Sequence, residues 1–306
     1  MNFKKQALLF LSIVLSACSS TDQGLHNDYV IGQYTAPETA YSSNSFWIEG
    51  PEGIVLIDTQ FLPSQALQAV DIAESYTGKK VVLAIVLHAS VERFNGVQAL
   101  QAKGIKVVSA RQVVDGIAEA HNKTWPIFYQ RLKPDYPDSL VLPEVAWEKT
   151  TVFSAAGLDL KAYVIRQALG PAHVLIELDD HLFTGALVTH QSHAWPGGDT
   201  VQWLERLDEI SDNIRAKVIH PGRGYSMNAT KLLTQQKNYL QALQSAVARF
   251  YTGGEITAAD TTAIQAEMTR QFPAYGFEKF LRYTIPAEWK RLRQDDHQMM
   301  KGQGAH

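Results

Sequence analysis

Four side chains able to do chemistry fall within six residues of one another in VLHASVERFNG, Val86 to Gly96: His88, Ser90, Glu92 and Arg93. Imidazole and carboxylate can hold a metal ion or carry a proton. Guanidinium can do neither, because it stays protonated and has no acceptor lone pair. A second arginine, Arg223, stands in VIHPGRG (218–224), and IVLID (54–58) ends on Asp58. Asp58, Glu92, Arg93 and Arg223 balance to zero formal charge. If they meet, they form either a buried ion-pair network or an anion pocket in which two guanidiniums fork a carboxylate or phosphate. The carboxylates already supply counter-charges, which favours the network. His190, His193 and His220 lie later in the chain, so His88 and Glu92 with His193 or His220 make up a candidate mononuclear metal set. No serine or cysteine nucleophile with a base beside it is evident, and there is no G-x-S-x-G elbow or phosphate-binding P-loop.

The elements around these residues alternate. Apolar β-formers at 29–34, 45–49, 54–58, 81–87 and 105–110 read as strands, and 63–75, 96–103 and 111–121 as helices. Residues 123–150 carry Pro126, Pro134, Pro137 and Pro143 among aromatics and charges, and read as an ordered surface excursion. Strands resume at 158–165, 173–177 and 181–183, with the LDDH turn (178–181) closing a hairpin. Thr200–Asn213 has an apolar stripe at helical spacing, KVIHPGRG (217–224) is a strand running into a loop, and helices follow at 231–251, 257–272 and 277–294. Two strand-rich halves, each followed by helices, imply an α/β (α+β) protein with an αββα sandwich and a C-terminal helical extension.

NSFWIEGPEGIVLIDT (44–59), the 86–96 loop, GPAHVLIELDDHLFTGALV (170–188) and VIHPGRG resemble, in order and spacing, the metallo-β-lactamase fold. The resemblance covers about residues 29–250, with 251–306 as the extension, and it implies a zinc-dependent hydrolase of lactams, thioesters or other esters. The family's loop pattern is H-x-H-x-D-H. Carried over by position, His88 matches the first histidine, while Ser90, Glu92 and Arg93 stand at the second histidine, the aspartate and the third. Leu169 stands at the next ligand position, and His173 matches a structural histidine. Ala186 stands at the bridging aspartate, Arg223 at the last histidine, and Asp58 at a retained scaffold aspartate. Zinc takes imidazole, thiolate or carboxylate, usually four donors with one left open to water in catalytic sites. Leucine, alanine and arginine supply none of these. The resemblance therefore implies a relative whose zinc ligands are mostly replaced: no cofactor, and a non-catalytic or weakly active protein that binds a small anionic ligand or an envelope protein. The alternative is a metal-dependent hydrolase with the relocated mononuclear site.

The N-terminus gives an address. Lys4 and Lys5 precede an apolar run, Ala7–Leu15, and LSAC (15–18) resembles the bacterial lipobox. This implies a signal peptide over 1–17, lipidation of Cys18, a polar tether over 18–28, and a membrane partner through the lipid. Ser19 implies the outer membrane, facing the periplasm. Cys18 is the single cysteine in 306 residues, so once lipidated it leaves no thiol for a disulfide, a metal or catalysis. The net charge of −3 and the absence of a basic, aromatic-interleaved stripe argue against nucleic acid.

Overall fold

The computed structural model describes residues 29–195 and 199–303. The signal-peptide and lipobox expectations, Cys18 included, lie outside the described residues. Among those described, no helix is long and apolar enough to cross a membrane.

The first sheet is built from β1 (Val30–Thr35), β2 (Asn44–Gly50), β3 (Gly53–Ile57), β4 (Val81–Ile85), β5 (Lys106–Ala110) and β6 (Glu144–Trp147), hydrogen-bonded in that order. β1 to β3 pair antiparallel and β3 to β6 parallel. All five residues of β3 are buried, as expected of a strand covered on both faces. The covering helices are α1 (Pro63–Thr77), the single turn α2 (Val91–Phe94), α3 (Val97–Ala102) and α4 (Arg111–Leu132).

The second sheet contains β7 (Thr151–Ala155), β8 (Leu158–Arg166), β9 (Ala172–Leu178), β10 (His181–Gly185), β11 (Val218–Pro221) and β12 (Met227–Asn228). β7 to β10 form an antiparallel meander, β11 adds parallel to β10, and β12 turns back on β11. Its outer layer is α5 (Thr200–Asn213), α6 (Ala229–Phe250), α7 (Ala258–Gln271) and α8 (Leu281–Gln303). Asp199 caps α5 by accepting the Val201 N–H at 2.7 Å. The architecture is therefore the expected four-layer αββα sandwich with C-terminal helices. Those last helices share one core with the sheet: Ile264, Met268, Ile285 and Trp289 pack in the cluster that holds Leu182, Leu187 and Leu240.

Residues 123–150 differ from the expectation of a surface excursion. α4 runs unbroken to Leu132 with Pro126 inside it, and β6 then extends the sheet. The physical reason is amphipathic spacing. Val113, Ile117, His121 and Phe128 are buried on one face, while Pro126 lies on the solvent side. The packing stabilisation of that face outweighs the hydrogen bond that proline removes. The connecting turn brings Tyr136 in among Phe61 and Phe128, with ring centroids 5.7 and 6.1 Å away.

Candidate functional site

The 86–96 loop leaves the C-terminal end of β4 at the seam between the two sheets. Its backbone is held on both sides. Val174 N–H donates to Leu87 O at 2.8 Å, and Thr59 donates to Arg93 O through both its N–H and its hydroxyl, each at 2.8 Å. Gly96 is needed here, because a Cβ at this position would lie 2.0 Å from the Thr59 carbonyl oxygen. Asp58 sits just past β3 in the left-handed region, φ 63°, which aspartate tolerates better than bulkier side chains.

The four charged residues meet in two buried pairs. Arg93 Nη1 donates to Asp58 Oδ2 at 3.1 Å and to Asn44 O at 3.1 Å, and its Nη2 donates to Gly222 O at 3.0 Å. The same Asp58 carboxylate accepts the Leu87 N–H at 2.9 Å. Arg223 Nη2 donates to Glu92 Oε1 at 3.2 Å, and its Nε donates to Tyr41 O at 2.8 Å. The Ser90 hydroxyl donates to the other oxygen of Glu92. Arg93 is fully buried and Arg223 is 1% exposed, so neither cation is available to solvent. The extension closes the site: Phe280 and Phe277 lie under the Arg223 guanidinium at 5.3 and 5.9 Å, and Trp195 packs edge-on against Phe280. Arg223 Nη1 is left buried without a partner.

Burial shapes the electrostatics. It pushes Asp58 up to about 6, against the pull of Arg93. Burial would also raise Glu92, but Arg223, Arg93 and the Ser90 hydroxyl outweigh it and bring the carboxyl down to about 2. Burial lowers Arg223 to about 10, so it remains a cation at neutral pH. His88 is lowered to about 4 by burial and is neutral. Its ring stacks on that of His173, centroids 3.8 Å apart, and the two residues form an antiparallel bridge. Leu169 and Ala186 are buried in the second core and offer no donor.

The relocated metal set does not come together. Among the described residues no group of three or more His, Cys, Asp or Glu is placed to hold a metal ion. His193 faces the C-terminal helices, with Nδ1 3.1 Å from the Tyr239 hydroxyl. His220 stacks on Phe183 at 4.4 Å and shares hydrogen bonds with His181 and Ser226. Each is drawn away by an aromatic or polar partner distant in sequence, which spacing could not reveal. The absence of a serine with a base beside it is corrected by the same finding: Ser226 Oγ lies 2.8 Å from His220 Nδ1. At the mapped zinc position, then, guanidiniums are hydrogen-bonded to the carboxylates of Asp58 and Glu92, and these residues do not fit zinc.

No protein-family model matches the sequence, and no curated protein is similar to it in sequence. Similar solved structures exist. A metallo-β-lactamase from Pontibacter korlensis superposes with a TM-score of 0.57 at 19% identity, covering 72% of this chain and 97% of that one. The DIM-1 metallo-β-lactamase exposed to ceftazidime superposes with a TM-score of 0.55 at 14% identity, covering 72% and 95%. The metallo-β-lactamase from Hirschia baltica superposes with a TM-score of 0.53 at 14% identity, covering 71% and 95%. At such low identity the likeness is one of fold, and the fold of this chain is the metallo-β-lactamase fold.

Proposed function

We propose that this chain is a lipid-anchored envelope protein that keeps the metallo-β-lactamase scaffold without its zinc chemistry, and that it works by binding a ligand or an envelope partner. The observation that carries the reading is the pairing of Arg93 with Asp58 and of Arg223 with Glu92, all four buried at the mapped metal position. A zinc hydrolase draws its nucleophile from metal-bound water, whose pKa falls to about 7 from 15.7 in bulk. Here the groups that would hold the ion are consumed by guanidiniums.

The test is hydrolysis of a β-lactam and of a thioester by purified protein, with and without a chelator. The expected rates are near background and unchanged by chelation. Rates that are well above background and abolished by the chelator overturn the reading.

Anchoring rests on the lipobox resemblance at Cys18. A Cys18→Ser variant is expected to remain unprocessed or to leave the membrane fraction, because one acylated cysteine is the anchor. Cell fractionation with immunoblotting checks this, and unchanged processing and membrane recovery contradict it.

A further inference from the structure

β10, β11 and the turn from β11 to β12 bring together four polar side chains. Ser226 Oγ is 2.8 Å from His220 Nδ1. His220 Nε2 is 2.9 Å from His181 Nδ1, and His181 Nε2 is 3.5 Å from Asp180 Oδ1. The backbone sets this up. β11 and β12 pair antiparallel with Ile219 opposite Met227, so His220 and Ser226 come one step further along the same hairpin. Gly224 makes the reversal at φ 80°, where a Cβ would lie 2.4 Å from the His190 carbonyl oxygen. On the other side, the parallel register sets His220 opposite Phe183, and His181 is two residues earlier on the same face of β10. Phe183 stacks on the His220 ring at 4.4 Å and Phe46 meets it edge-on at 5.0 Å, so the imidazole is fixed in plane and tilt.

Asp180 Oδ1, 3.5 Å from His181 Nε2, favours the His181 tautomer with its hydrogen on Nε2, which leaves Nδ1 to accept. His220 then carries its hydrogen on Nε2 and accepts at Nδ1, so the Ser226 hydroxyl donates. Burial holds both imidazoles neutral at neutral pH and lowers His220 to about 3, so His220 is a weak base that takes the serine proton only in step with attack on the carbonyl. His220 is buried, whereas Ser226 is half-buried beside Tyr225, which is 66% exposed. A hydroxyl at the surface, a base behind it and an orienting group behind the base is the arrangement of an activated serine nucleophile.

We propose that Ser226 is a nucleophile, with His220 as its general base, that accepts acyl groups from small carboxylic esters. Ser226 Oγ bonds to the ester carbonyl carbon while its proton moves to His220 Nδ1. The C–O bond to the leaving alcohol breaks, and the alkoxide takes that proton. Water then attacks the acyl-serine, giving its proton to Nδ1, and Ser226 recovers it as the carboxylic acid departs. No metal and no redox partner enters. His181 and Asp180 act through His220 as positioning residues; the other titratable groups around the pair are Asp179, Tyr29 and Lys217.

The experiment treats the full-length protein with a fluorophosphonate probe, which labels activated serines, and with p-nitrophenyl acetate. Peptide mapping locates the adduct, and circular dichroism confirms that each variant is folded. The expected result is an adduct on Ser226, absent in Ser226→Ala and formed at least tenfold more slowly in His220→Gln, together with chelator-insensitive ester turnover that falls in parallel. Asp180→Asn, a change at a partly exposed position, is expected to slow labelling several-fold at neutral pH and Asp180→Glu to restore it, a rescue that a merely structural aspartate does not produce. No adduct on Ser226, or labelling unchanged in folded His220→Gln, overturns the proposal. Chelator-sensitive turnover instead overturns the reading of the ion-pair site, so the two failures are distinguishable.

Discussion

An Arg93→Met variant is expected to lose about 3–5 kcal/mol of unfolding free energy, measured as a shifted urea midpoint. Arg93 is fully buried and joins β2, the end of β3 and the 222–224 loop through Asn44 O, Asp58 and Gly222 O. Its removal strands the Asp58 carboxylate in an interior that already pushes its pKa up to about 6. The loss is therefore mostly the penalty of an uncompensated charge, with the backbone acceptors Asn44 O and Gly222 O adding to it. Neutralising the partner should recover part of it. Arg93→Met combined with Asp58→Asn is expected to be more stable than Arg93→Met alone, since asparagine tolerates the left-handed backbone at position 58 and carries no charge. A single variant as stable as the parent, or a double variant no better than the single, contradicts the ion-pair account.

Acid should unfold the protein early. His88, His173, His193 and His220 are all buried. Burial lowers His88 and His193 to about 4 and His220 to about 3, and holds His173 well below its ordinary value. The unfolded chain takes up protons at these rings as pH drops through about 6.5, while the folded chain does not. Their stabilising contribution is complete above pH 6.5 and drains away as pH falls toward the folded values. Asp58 works the other way between about 6 and 3.8, where its raised pKa lets the folded state bind a proton first. Glu92, lowered to about 2, adds a further loss below about 4.5. Near pH 5 the proton uptake of the unfolded histidines outweighs the one proton that Asp58 takes up first in the folded state, so stability falls as pH drops. Urea midpoints at pH 7, 6 and 5 should therefore fall steeply between the last two. A flat profile to pH 5 would mean that the histidines are not buried neutral.

The scaffold was readable because its signals are local. Apolar runs at 54–58 and 81–87, the LDDH turn and the stripe along 200–213 each announce one feature, and the structure has β3, β4, the β9–β10 turn and α5 there. What was not readable depended on partners far apart in sequence. The sequence ends this helix at His121 because four prolines follow in 123–150, whereas burial of Phe128 against Phe61, 67 residues earlier, carries α4 on to Leu132. The charged site followed the same rule. The sequence could show that Asp58, Glu92, Arg93 and Arg223 balance, but not which cation pairs with which carboxylate. The structure matches Arg93 to Asp58 across 35 residues and Arg223 to Glu92 across 131. His220 illustrates the limit best. The sequence offers it as a metal ligand with His88 and Glu92, and its neighbours in space are Phe183, His181 and Ser226.

Guanidiniums hold the carboxylates a zinc ion would need. Elemental analysis of protein purified without added zinc, repeated after dialysis against a zinc buffer and a wash, tests this most directly. The account predicts far less than one zinc per chain in both samples. One zinc per chain, lost in His88→Ala, would contradict it.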